Sequence, residues 1–262
     1  MIAVIFDMDG VIVHTNPTHD VAWRIFLARH GAVATDEELQ EHMYGKHNSH
    51  ILSYFLKCPL SKDEIAQLQF EKEAIFRELY RPIAQPLNGL LTFLNDLKLN
   101  QVKTGIATSA PVENLNLILE VLPLRPQMES LLSEADVTRY KPDPEIYLKS
   151  ADILGVPAAR CVVFEDSISG VQAGLNAGMK VVGVTTTYAP HQLPPCHAYV
   201  PDYENIGYDF VQQILDNWHR CWATQQEIIK LLFPYFNASF PAFTKKCWLG
   251  LWWFFSFVPS NV

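Results

Sequence analysis

At 262 residues, 49% of them apolar and 18% charged, the chain has too much core-forming material and too little charge to be a disordered protein. A net charge of −8 without a lysine- or arginine-rich cluster argues against nucleic acid as the main partner, although a metal and a few lysines can still make a local phosphate site. Cys58, Cys161, Cys196, Cys221 and Cys247 are scattered and form no CxxC pair, which suits the reduced thiols of a cytoplasmic protein better than disulfides or a zinc site.

The first element is a strand in "MIAVIF", residues 1–6, whose unbroken apolar run reads as buried on both faces. Six mostly apolar residues are too few for a signal peptide. Gly10 ends the strand, and between them lie Asp7 and Asp9. Side chains two residues apart in an extended segment point the same way. Both carboxylates should therefore converge at the strand's carboxyl edge, where open α/β sheets bind ligands. Two close carboxylates raise each other's pKa, and a bound cation resolves that conflict.

From His19 to about Arg81 the apolar residues recur at three- and four-residue spacing, without a convincing strand. "SKDEIAQLQFEKEAIFRELY" opens with Ser61 and Glu64 as a capping box. A helical module therefore interrupts the chain after the first strand, and "RPIAQPLNG", with Pro82 and Pro86, returns from it. Helices and strands then alternate. "GLLTFLNDLK", "PVENLNLILEVL" (Pro111 in its first turn), "PDPEIYLKSADILG" (ending at Gly155) and "SISGVQAGLNAG" read as helices. "VKTGIATS", "RCVVFED" and "KVVGVTT" read as strands. The fold class is α/β, a parallel sheet flanked by helices. Core segments 1–14 and 86–217 enclose a helical insertion at 15–85. Beyond the last helix, in "YENIGYDFVQQIL", residues 218–262 form an aromatic-rich tail. Its "CWLGLWWFFSFV" is shorter than the ~20 residues of a membrane helix. With Lys245 and Lys246 beside it, the tail is an interfacial anchor, an extra packed segment or a poorly ordered end.

Four stretches carry chemistry, each at the end of a strand or the start of a helix. They hold Asp7 and Asp9; Thr108 and Ser109; Lys141 in "RYKPDPEIY"; and Glu165 and Asp166 in "VVFEDSISG". Singly, a hydroxyl pair is a helix cap, a lysine is a surface charge, and two acids complement a helix dipole. Jointly, in one order on one edge of a parallel sheet, they make a phosphate-sized site whose oxygen ligands suit Mg²⁺. "GVQAGLNAG" lacks the GxGxxG of a dinucleotide loop.

"DMDGV", "TSA", "KPDPEIY" and "FEDSISGVQAGLNAGM" resemble the four motifs of the haloacid dehalogenase superfamily, in the order and spacing of its β-phosphoglucomutase-like phosphatase branch. The resemblance covers roughly residues 2–215 and implies a Rossmann-like core with a small helical cap. It implies Asp7 as nucleophile, forming an aspartyl-phosphate, and Asp9 as general acid and base. Mg²⁺ would be held by the Asp7 carboxylate, the Asp9 backbone carbonyl and Asp166, with Glu165 close by. Thr108 or Ser109 and Lys141 would hold the phosphoryl oxygens. In the cap, Thr15 and His19 match hinge residues and Lys72 matches a lysine pointing into the site. Where the mutases carry a phosphate-gripping arginine, "YGKHNSH" offers Asn48, with Lys46, His47 or Lys72 as the substitutes. The resemblance therefore implies hydrolysis of a small phosphorylated metabolite, a sugar phosphate among the candidates. The alternatives are a phosphomutase and a non-catalytic protein docking through its tail.

Overall fold

The structure, a computed structural model, describes residues 1–43 and 48–216. The expectations for Lys46, His47 and the aromatic tail lie outside the described residues.

Strand β1 (Ala3–Phe6) sits in the middle of a six-stranded sheet. β2 (Lys103–Ala107) and β3 (Ser130–Leu132) lie on one side, and β4 (Cys161–Glu165), β5 (Lys180–Val184) and β6 (Ala198–Val200) on the other. Every pairing is parallel, and Phe6 is level with both Ile106 and Phe164. All carboxyl ends therefore open on one side. The chain travels outward from β1 through β2 to β3, then crosses back to β4, so strand order reverses at the carboxyl end of β1.

The unbroken apolar run of β1 has a direct cause. Val4 and Phe6 face one core with Phe164, whereas Ala3 and Ile5 face a second core with Val163 and Tyr147. In the first core Phe6 stacks on Phe164 at 5.4 Å, and Phe93 on Tyr203 at 5.3 Å. The Tyr203 hydroxyl donates to the Val11 carbonyl at 3.1 Å, so the same aromatic cluster holds the turn that follows β1.

Four helices come next: α1 (Asn16–Arg29), α2 (Asp36–His42), α3 (Asn48–Leu56) and α4 (Lys62–Tyr80). α4 starts with the expected Ser61–Glu64 capping box, and α2 with a second box at Thr35 and Glu38. The chain's exit from and return to the sheet lie side by side. Val13 bridges antiparallel to Pro86, and the Leu87 N–H donates to the Ile12 carbonyl at 2.9 Å. Residues 1–216 form one compact unit.

The remaining helices are α5 (Leu90–Leu99), α6 (Val112–Val121), α7 (Glu145–Leu154) and α8 (Ile168–Asn176), and residues 208–216 are helical. Two details depart from the sequence reading. Pro111 is the N-cap of α6, not part of its first turn, and α7 begins only after Pro144. Two strands, β3 and β6, were not expected, because three residues at a sheet margin show no readable alternation. No helix among the described residues is long and apolar enough to cross a membrane.

Candidate active site

The chain turns sharply after β1, with the N–H groups of Val11, Ile12 and Val13 all directed at the Met8 carbonyl. Gly10 takes φ +75°, and a Cβ there would come within 1.9 Å of Asp166 Oδ2. Only glycine lets the β1 turn and the Asp166 carboxylate approach so closely.

Lys141 is no surface charge. Its side chain is 5% exposed, and Nζ donates to Asp7 Oδ1 at 2.5 Å, Glu165 Oε1 at 2.8 Å and the Ala107 carbonyl at 3.1 Å. Glu165 is fully engaged. Oε1 also accepts from the Tyr147 hydroxyl, and Oε2 accepts from the N–H groups of Asp166 and Ser167 and from the Ser167 hydroxyl. Gly170 makes room for this carboxylate, since a Cβ there would lie 1.6 Å from Glu165 Oε1. Through these bonds Glu165 anchors Lys141 and the start of α8. Asp166 Oδ2 accepts from the Thr187 hydroxyl, which in turn accepts from Asn16 Nδ2 at 2.5 Å. Thr186 donates to the Gly10 carbonyl at 2.5 Å.

Of these, Asp7, Lys141, Glu165, Asp166, Thr187 and Asn16 line a cavity of about 170 Å³ at the carboxyl edge of the sheet, together with Asp9, Ser109, Trp23, Asn48, Lys72 and Glu73. Burial pushes Asp7 up to about 7; Lys141 pulls it down, while Glu165 and Asp9 add to the rise. Asp166 is raised by burial and then by Glu165 and Asp7. Burial opposes the charge of Lys141, but Asp7 and Glu165 outweigh it and raise its pKa. Four carboxylates thus share one ammonium on this wall, an excess of negative charge that suits a hard divalent cation. Among the described residues no three His, Cys, Asp or Glu side chains are gathered into a metal cage. Mg²⁺ needs no such cage, since it keeps several waters and binds through one or two carboxylates and a substrate phosphate. The residues present fit that ion.

Thr108 is buried, and its hydroxyl oxygen accepts from the Ala110 N–H at 3.0 Å, a local turn contact. Ser109, next to it, is exposed on the cavity wall.

The helical wall comes from α1, α3 and α4. Thr15 donates to Asp9 Oδ1 at 2.6 Å, and His19 Nε2 stands 3.6 Å from the same oxygen. His19 stacks on Phe76 with ring centroids 3.8 Å apart. Lys72 Nζ lies 2.8 Å from His19 Nδ1 and 2.8 Å from Glu73 Oε1, and 4.9 Å over the Trp23 ring. An ammonium has only donors, so Nδ1 accepts and the ring proton sits on Nε2, facing Asp9. Asn48 donates to Glu73 Oε1 at 2.9 Å, and Asn114 to Oε2 at 2.7 Å. Burial alone would raise Glu73; Lys72, then His19, and the hydrogen bonds of Lys72 and Asn114 bring it down to about 2.

The structure therefore brings Asp7, Asp9, Thr15, His19, Asn48, Lys72, Thr108, Ser109, Lys141, Glu165 and Asp166 to one cavity region. Sequence reasoning missed Asn16, Glu73, Asn114, Tyr147, Thr186 and Thr187. The two threonines lie just past the carboxyl end of β5, so the strand-end rule used for Thr108 applies to them as well. Glu73 had no local signal, because neighbours one residue apart on a helix do not normally face each other.

The model of the haloacid dehalogenase-like hydrolases matches residues 4–184. The chain belongs to that family and is an enzyme of it. It is 34% identical to a phosphorylated carbohydrates phosphatase of Thermotoga maritima, over 70% of this chain and 85% of the relative. It is 30% identical to a β-phosphoglucomutase of Bacillus subtilis, over 70% of this chain and 83% of that one. A solved β-phosphoglucomutase of Clostridium difficile superposes with a TM-score of 0.74 at 26% identity, covering 83% of this chain and 99% of that structure.

Proposed function

We propose that the protein is a phosphomonoesterase that hydrolyses a small phosphorylated metabolite, a sugar phosphate being the first candidate, through an aspartyl-phosphate on Asp7. One observation carries this reading: the two carboxylates of the β1 turn share a cavity but are held in opposite ways. Asp7 is packed against Lys141 on the sheet side, and Asp9 faces Thr15 and His19 on the helical side. Environments that differ in this way separate two carboxylates into two roles.

Asp7 attacks phosphorus and the bond to the substrate alcohol breaks, its oxygen taking a proton from Asp9. Water then gives a proton to Asp9 and attacks the same phosphorus, the bond to Asp7 breaks, and inorganic phosphate leaves. Lys141 and the Ser109 hydroxyl neutralise and orient the phosphoryl oxygens. Asp7, the Asp9 carbonyl and Asp166 would hold Mg²⁺, which supplies charge neutralisation at the phosphoryl group when bound. Residues 15–85 act as a cap that excludes water and selects the substrate.

A mutase must grip a phosphate at each end of its substrate. Asn48, where the mutases have arginine, donates to Glu73, and Lys72 is paired with Glu73 and His19. Both are already engaged by Glu73, and neither offers the bidentate grip of an arginine, which favours hydrolysis. The test is phosphate release from a panel of sugar and nucleoside monophosphates, with Mg²⁺ and with EDTA. Turnover that EDTA abolishes supports the reading. Isomerisation of β-glucose 1-phosphate in the presence of a bisphosphate, with little phosphate release, would replace it by the mutase.

A further inference from the structure

One side of α4 carries a polar row. Gln69, Glu73 and Arg77, with Arg81 as the C-cap, follow one another at four-residue spacing and so share one side of the helix. Each meets a side chain of the strand-bearing half. Gln69 Nε2 donates to Glu134 Oε1 at 2.7 Å, Asn114 Nδ2 to Glu73 Oε2 at 2.7 Å, and Arg77 Nη1 to Asn114 Oδ1 at 3.0 Å. The Arg81 guanidinium pairs with both oxygens of Glu120 at 2.7 and 3.1 Å.

Glu73 is the one member that also faces the chemistry. Its Oε2 binds Asn114 in the seam, while its Oε1 binds Lys72, which binds His19 Nδ1, which turns Nε2–H toward Asp9. Glu73 is 3% exposed, and Lys72 is 1% exposed. We infer that Glu73 is a positioning residue: held by Asn114 across the seam between α4 and α6, it places Lys72 and His19 against Asp9, so that Asp9 is set for proton transfer. This rests on the acid role proposed for Asp9.

The experiment uses the full chain and two kinds of ester. An alkyl sugar phosphate needs a proton on its departing oxygen, whereas p-nitrophenyl phosphate does not. For both, kcat/KM covers the steps through departure of the alcohol or phenol. Glu73→Gln and Asn114→Ala should each lower kcat/KM for the sugar phosphate that the parent hydrolyses fastest by about tenfold more than for p-nitrophenyl phosphate. Arg81→Ala, at the far end of the seam and away from the cavity, should leave the ratio unchanged. Thermal melts check that each variant folds; if Glu73→Gln does not, Asn114→Ala, which keeps the Lys72–Glu73 pair, carries the test. Parallel losses on both esters, or none, overturn the inference while leaving the phosphatase standing. Selective loss in Glu73→Gln without it in Asn114→Ala overturns the coupling to the seam. A parent that releases phosphate from no alkyl ester overturns the phosphatase reading, and this inference with it.

Discussion

The two walls of the cavity are built by different physics. The sheet wall rests on two apolar cores, and its carboxylates are fixed by backbone: by the β1 turn, by the N–H groups at the start of α8, and by glycines that admit the acids where a Cβ would collide. The helical wall shares the first of these cores through Trp23, Phe26, Phe76 and Tyr80, but its polar groups are fixed by side chains, in a row of amide, guanidinium and carboxylate contacts along α4. On the function proposed above, the chemistry falls to the first wall, and entry and choice of substrate to the second.

The sharpest break in this comparison is on the sheet wall. Asp7→Asn removes the proposed nucleophile with little change of shape, and steady-state phosphate release should fall by at least about 10³-fold. Lys141→Met should follow closely. It leaves Asp7 and Glu165 buried without their cation, with turnover down by about 10²-fold or more and stability down by on the order of 3 kcal/mol. Urea titration alongside the kinetics separates the two losses.

The helical wall should respond through stability in acid. The pKa of Glu73 is lowered from 4.5 to about 2, so its contribution is complete above about pH 4.5 and is lost as the pH falls through about 2. A shift of that size corresponds to on the order of 3 kcal/mol. The difference in melting temperature between the parent and Glu73→Gln should therefore be large at neutral pH and shrink between pH 4.5 and 2. A difference that stays constant across that range would mean that the carboxylate charge is not what holds the wall. Smallest of all, Arg81→Ala breaks an exposed pair with Glu120 and should move the melting temperature by no more than about a degree. A large drop there would show the seam to be more rigid than its solvent exposure implies.

Much of the sheet wall was legible in the order of the residues. Asp7, Asp9, Thr108 and Asp166 each follow an apolar strand within three residues, and parallel strands bring such ends together whatever the details of packing. Even so, the employment of Glu165 was not legible. Adjacent to Asp166, it looks like a second ligand, and only the fold turns its carboxylate back on Tyr147 and α8. On the helical wall, Ser61 and Glu64 announced the start of α4, and periodicity announced its length. Periodicity did not say which of its polar residues face the core, because Gln69, Glu73 and Arg77 look like any solvated row.

The sequence by itself determined the class of the protein: an α/β sheet whose strand ends carry two aspartates, hydroxyls, a lysine and further acids in a set order, with helices inserted after the first strand. Those features are local, since turn chemistry, alternation and strand-end position depend on neighbours in the chain. Tertiary structure alone decided that Lys141 is buried between Asp7 and Glu165, that His19 presents Nε2 to Asp9, and that Glu73 joins Asn114 to Lys72. Apart from the adjacent Lys72 and Glu73, those contacts join residues 10 to 134 positions apart, whose meeting depends on how whole elements pack.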